Sequence, residues 1–204
     1  MLRIEGLTKR YGEHVVFAGL TRTFAPGCYA LCEEDSTGKS TLLGIVAGVI
    51  APDAGEVWVD GQPLAQAPAP VRARVAYVPD NCLALPEQTG RGLLEQVAAE
   101  KGVPLDAAVL DLAYRLGLEP HLDKRFEQMS TGTRRKVYLT AAALGDLAVV
   151  VADGASNGLD AGARSVLAEQ FRIWGRDRVV LFASHDPELV QACGAETFDI
   201  APQR

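Results

Sequence analysis

The sequence has no long apolar run. Its longest unbroken stretch, residues 147–152, is strand-sized and far short of the roughly 20 residues a membrane helix needs, so no membrane span is expected. The first fourteen residues carry charges throughout and contain no apolar segment, so no signal peptide is expected. Basic charge is scarce too. Twenty Lys and Arg stand against 26 Asp and Glu, a net charge of -6, which argues against a general nucleic-acid binder but not against one local phosphate site. The four cysteines, Cys28, Cys32, Cys82 and Cys193, form no CxxC pair, which removes the usual framework for a zinc site. With no secretory signal they read as reduced thiols in a cytoplasmic compartment. Cys28 and Cys32 share a parity in a strand-like stretch, and both are expected to be small buried residues on one face. No internal repeat and no low-complexity segment is present.

What remains is an ordinary globular composition: 204 residues, 48% hydrophobic and 23% charged, enough for one compact unit with a sizeable core. Residues 1–25 alternate and predict short strands with a turn at Tyr11 and Gly12. Residues 28–32 predict a strand, and 39–49 a helix with apolar Leu42, Leu43, Ile45, Val46 and Val49. PDAG at 52–55 signals a turn, after which 56–59 reads as an edge strand and Val75–Val78 as a buried one. From about 90 to 144 the apolar spacing becomes three and four, predicting helices. Residues 148–152 and Val179–Ala183 are continuous apolar runs, the pattern of parallel strands covered on both faces, with a helix at Ala161–Trp174 between them. The expected architecture is α/β with a mostly parallel sheet. An N-terminal antiparallel subdomain precedes it. The core spans about 1–80 and 146–204, and a helical subdomain is inserted at about 81–145.

The most informative segment is EEDSTGKST at 33–41, which follows a strand and opens a helix. That is the context of a phosphate-binding loop, whose backbone N–H groups and helix dipole favour an anion. In it Lys39 would pair with terminal phosphates, and the Ser40 hydroxyl would hold Mg2+. Glu33 stands where the loop pattern has its first glycine, and Glu34 and Asp35 add two more carboxylates near Lys39.

Further segments follow in a fixed order: LTKRYG at 7–12, YVPD at 77–80, MSTGT at 129–133 before a basic helix, VVVADGASNGLD at 149–160 and FASHD at 182–186. In that order, over nearly the whole chain, the sequence resembles the nucleotide-binding subunits of ABC transporters. The resemblance implies a P-loop ATP-binding fold, with ATP and Mg2+ as ligands. Tyr11 would stack on adenine. Ser36, Thr37, Gly38, Lys39, Ser40 and Thr41 would form the phosphate loop, and Ser40 and Asp153 would hold the metal. His185 would contact the terminal phosphate. Ser130 and Gly132 belong to the signature and Asp160 to the loop that communicates across a dimer. The implied partners are transmembrane permease subunits and a second ABC ATPase, in a homodimer or heterodimer peripheral to the cytoplasmic face of the membrane.

The sequence departs from that family at the chemistry. Gly154 stands where the family has the water-polarising Glu, and loss of such a base costs roughly 10²–10⁴-fold in rate. Asp80 replaces the Q-loop Gln, Thr131 and Thr133 alter the signature, and Glu33 and Ser36 replace loop glycines. Two readings stand: slow hydrolysis of MgATP, in which Asp80 supplies a carboxylate near the missing Glu, or a non-hydrolysing partner of a membrane subunit or of a complete ATPase. Full-rate hydrolysis ranks below both because Gly154 has no side chain, and a P-loop kinase would leave the motif order unexplained. If the missing carboxylate is the only defect, Gly154→Glu is expected to raise turnover.

Overall fold

The computed structural model describes residues 1–32 and 37–200, so Glu33, Glu34, Asp35 and Ser36 lie outside the described residues. The chain opens with two long strands, β1 (Leu2–Tyr11) and β2 (His14–Phe24), joined by a tight turn that pairs Tyr11 with His14. They are longer than the short strands expected, because register shifts let one irregular hairpin continue through breaks in the alternation. Next come β3 (Gly27–Leu31), α1 (Lys39–Val46), β4 (Ala54–Val59) and β5 (Gln62–Pro63). A short α2 (Ala69–Arg72) leads into β6 (Val75–Val78). The helical stretch contains α3 (Gly90–Lys101), α4 (Ala107–Arg115) and α5 (Thr131–Ala141). The chain then runs through β7 (Val149–Ala152), α6 (Ala161–Trp174), β8 (Val179–Ala183), α7 (Pro187–Ala192) and β9 (Glu196–Thr197).

Two sheets result. The first is antiparallel, in the order β2-β1-β4-β5, so β4 is paired on both sides rather than lying at the edge, although β5 covers only two of its residues. The second is parallel, in the order β6-β7-β8-β3-β9.

Alternation along the parallel strands explains their unbroken apolar character. Val150, Ala152, Val180 and Phe182 pack into a core with Leu167, Phe171 and Trp174 of α6. Their neighbours Val149, Val151, Val179 and Leu181 pack into a second core with Leu42, Leu43 and Val46 of α1 and with Leu2, Ile4 and Phe24 of the antiparallel sheet. Both faces of each strand are dry, so no polar residue alternates in. A third core joins Leu93, Leu94, Phe126 and Val137 in the helical stretch. The expected common burial of Cys28 and Cys32 does not hold. Cys28 is buried and its thiol donates to the Phe171 carbonyl at 3.2 Å, whereas Cys32 lies past the end of β3 and is exposed. Among the described residues no helix is long and apolar enough to cross a membrane.

Candidate functional site

Parallel strands end together, and their carboxyl ends are where open α/β sheets bind ligands. Here β3, β6, β7 and β8 deliver the 37–41 segment, Asp80, Asp153 and His185 to that end. Gly38 caps α1 with φ 99, and a Cβ on it would lie 2.3 Å from Val16 Cγ1, so β2 presses on the loop and admits only glycine there. The first turn closes through the Leu42 N–H donating to the Gly38 carbonyl at 2.9 Å. Lys39 begins the helix and is 8% exposed. A cation at a helix N-terminus opposes the helix dipole, a placement that favours an incoming anion.

The hydroxyl of Ser40 donates to the carboxylate of Asp153, which stands just past β7. Burial pushes the Asp153 carboxyl above the usual range, while that hydrogen bond opposes the rise. One hydroxyl and one carboxylate in contact fit Mg2+, a cation that keeps several waters and takes few protein ligands when phosphate oxygens complete its shell. Among the described residues no cluster of three or more metal-ligating side chains is present, so the donor set does not fit a metal held by the protein alone. Burial, then the charges of Asp153 and Asp80, push the neighbouring Tyr77 phenol up to about 12, so the ring borders the site as a neutral group.

Asp80 follows β6, with its side chain 59% exposed. Its Oδ1 accepts from Nη2 of Arg135 at 3.1 Å and from Nδ2 of Asn157 at 3.0 Å. Arg135, on α5, is fully buried; Nη1 donates to the Asp153 carbonyl at 2.8 Å and Nη2 to the Asp80 carbonyl at 2.5 Å. The guanidinium therefore ties together the ends of β6 and β7. Gly154 has φ 58, and a Cβ built there would lie 2.4 Å from Asp80 Oδ1 and 2.5 Å from Asn157 Nδ2. The space beside Asp153 is filled by neighbours rather than left open, so the simple rescue expected of Gly154→Glu meets both a clash and an unfavourable backbone.

The remaining candidates fall into two groups. Tyr11 is exposed at the rim of the antiparallel sheet, with Lys9 Nζ 5.3 Å from its ring centre. His185 is exposed after β8 and lines a cavity of about 520 Å3 with Ser156, Asn157, Gly158 and Asp186. Ser130 caps α5, its Oγ accepting from the Thr133 N–H at 3.2 Å. Gly132 lies against the 157–160 loop, where a Cβ would come within 2.1 Å of the Gly158 carbonyl oxygen. Asp160 caps α6 through the Ala163 N–H at 2.8 Å and pairs with Lys136 at 2.8 Å. These bonds give Ser130 and Asp160 structural work within the chain. Sequence reasoning passed over Arg135 and Asn157. The RRK run signalled only a basic helix, and nothing in it singled out the one arginine that is buried.

The family model for the ABC transporter matches residues 25–157. The chain is 32% identical over 189 residues to the Nod factor export ATP-binding protein I of Paraburkholderia xenovorans, covering 90% of this chain and 62% of that one. It is 30% identical to the protein of the same name from Bradyrhizobium diazoefficiens, over 88% of this chain and 60% of that one. The chain thus spans less than two thirds of the length of these relatives. Among solved structures, an ATP-binding subunit of an ABC transporter superposes with a TM-score of 0.85 at 23% identity, covering 98% of this chain and 86% of that one. A dimeric ATP-binding cassette, MJ0796 bound to ADP and Pi, superposes at 0.82 and 16% identity, over 98% and 95% of the two chains. At those identities the structures speak for the fold, and the family model speaks for membership. The chain belongs to the ABC transporter family and has its ATP-binding cassette fold.

Proposed function

We propose that this chain is an ATP-binding subunit that holds MgATP at the 36–41 loop and hydrolyses it slowly. The observation that carries the reading is the Ser40–Asp153 contact at the start of α1, beside a largely buried Lys39. Lys39 holds the terminal phosphate oxygens, while Thr37, Gly38 and Thr41 shape the loop around them. Ser40 and Asp153 would hold Mg2+, which would neutralise charge on the phosphate oxygens. Tyr11 stacks on the adenine and His185 contacts the terminal phosphate.

In hydrolysis a water oxygen bonds to the terminal phosphorus as the bond to the ADP oxygen breaks. Asp80 orients that water, and one water proton passes through its carboxylate to solvent. Ser130, Gly132 and Asp160 act across a dimer, as ABC ATP-binding subunits dimerise head to tail, and membrane-spanning permease subunits receive the motion at the cytoplasmic face of the membrane. The 1–80 and 146–204 segments form the ATPase core in this reading, and the helices between them face the permease. The relatives' printed role supports an exporter.

Titration with a fluorescent ATP analogue in the presence of Mg2+ tests the reading. Saturable binding that Lys39→Ala abolishes is expected; binding indifferent to Lys39→Ala would refute it. A second reading, a non-hydrolysing partner of a complete ATPase, is favoured by the filled space at Gly154. It predicts Lys39-dependent binding with no turnover above that of Lys39→Ala.

A further inference from the structure

Two departures from the family pattern, an acid at position 80 and a glycine at position 154, meet at one point in space. A Cβ at Gly154 would lie 2.4 Å from Asp80 Oδ1, closer than real Cβ contacts come. Asn157 Nδ2 would stand 2.5 Å from it on the other side. Both neighbours are the ends of exposed side chains, and hydrogen bonds set where they stand. Asp80 Oδ1 takes hydrogen bonds from both Arg135 and Asn157, and Arg135 is itself fixed by the Asp80 and Asp153 carbonyls. Arg135 is fully buried and brings one positive charge, which one carboxylate balances. A second carboxylate in this volume, beside Asp153, would add like charge around a single guanidinium.

We infer that the carboxylate of this site has moved from position 154 to position 80, and that Arg135 and Asn157 are the positioning residues that hold it there. The inference rests on the slow-hydrolysis reading. A carboxylate stands at one position or the other, not at both. Both hydrogen bonds fall on Oδ1 and the side chain is 59% exposed, so the carboxylate is gripped by one oxygen and open to water. Arg135 also links both this carboxylate and the Asp153 carbonyl to α5. In this arrangement the helix that carries the signature segment braces the water-orienting carboxylate and the strand end that bears the metal-side one.

Two measurements test the inference, the first independent of nucleotide. Thermal melting of the nucleotide-free chain is compared for the parent, Asp80→Ala, Gly154→Glu and the double variant. The strain of a side chain at φ 58 is common to both 154 variants and cancels in the cycle. The double variant is expected to melt above the value obtained by summing the two single losses, because Asp80→Ala vacates the space and leaves Arg135 for the new carboxylate. Additive losses would overturn mutual exclusion.

The second measurement is steady-state ATP turnover above the Lys39→Ala background, with the Kd of a Mg2+–nucleotide analogue taken alongside. Asp80→Ala is expected to lower kcat by about 10²-fold at unchanged Kd, the scale of a misplaced reacting group, and the double variant to recover it. Asn157→Ala, at an exposed loop position, is expected to lower kcat several-fold while KM and melting temperature hold. Lys39-dependent turnover that ignores Asp80→Ala would overturn the positioning assignment alone. Lys39-dependent binding without any turnover in the parent would overturn it together with the slow-hydrolysis reading.

Discussion

Replacing Arg135 by Leu measures how much of the fold hangs on one buried guanidinium. The side chain makes three bonds, to the carbonyls of Asp153 and Asp80 and to the Asp80 carboxylate, at 2.8, 2.5 and 3.1 Å. Leucine fills most of the volume but satisfies none of these acceptors. A buried acceptor left without its donor costs about 1–3 kcal/mol, and breaking a buried charged pair about 3–5 kcal/mol. Asp80 is 59% exposed and can return to water, so its share falls at the low end. The Asp153 carbonyl sits at the end of a strand with no exposed side, and its share stays large. Against these losses, Nε of Arg135 has no hydrogen-bond partner, so its removal returns part of the cost.

The net expectation is a loss of about 3 kcal/mol, summing one to two unsatisfied acceptors and a half-solvated pair. For a chain of this length that is a fall in Tm of about 6–12 °C. Arg135→Lys keeps the charge but cannot span the two carbonyls, so it is expected to lose about half as much. Urea or thermal unfolding of the nucleotide-free chain reads both. A loss below about 1 kcal/mol for Arg135→Leu would refute the claim that this residue braces the ends of β6 and β7.

Gly132→Ala sets helix propensity against packing. Propensity alone predicts a gain of about 1 kcal/mol, but a methyl 2.1 Å from the Gly158 carbonyl forces the loop away from α5 at a cost of about 1–3 kcal/mol, so net destabilisation is expected. A rise in Tm would show that the contact yields freely. Asp160→Ala removes the α6 cap and the Lys136 partner and is expected to cost about 1 kcal/mol at neutral pH. The Lys136 ammonium and the Ala163 N–H hold the Asp160 carboxyl below its ordinary value. Its stabilisation is therefore present above the unfolded value of about 4 and is lost as the pH falls through the folded one, so the gap between parent and variant should narrow in acid. A gap constant from pH 7 to pH 3 would count against the ionic part of the assignment.

The sequence alone determined the fold class and most elements. Val179–Ala183 and Ala161–Trp174 were legible because a strand buried on both faces shows an unbroken apolar run and an amphipathic helix shows its own period. It also singled out Lys39, Ser40 and Asp153 as candidates through the motif order, and the structure brings all three to the carboxyl end of the parallel sheet.

Tertiary structure decided the rest. Cys32 shares a parity with Cys28 but lies past the strand end, where parity no longer fixes a face. The length of β1 and β2 depended on tolerated bulges, which alternation reads as breaks. Above all, nothing in the chain order relates positions 80, 135, 154 and 157. They meet only because parallel strands end side by side and α5 packs over them, so that a buried arginine, an acid and a glycine become one arrangement. Local pattern encodes which face a residue takes; the packing of distant segments sets which side chains compete for the same few ångströms.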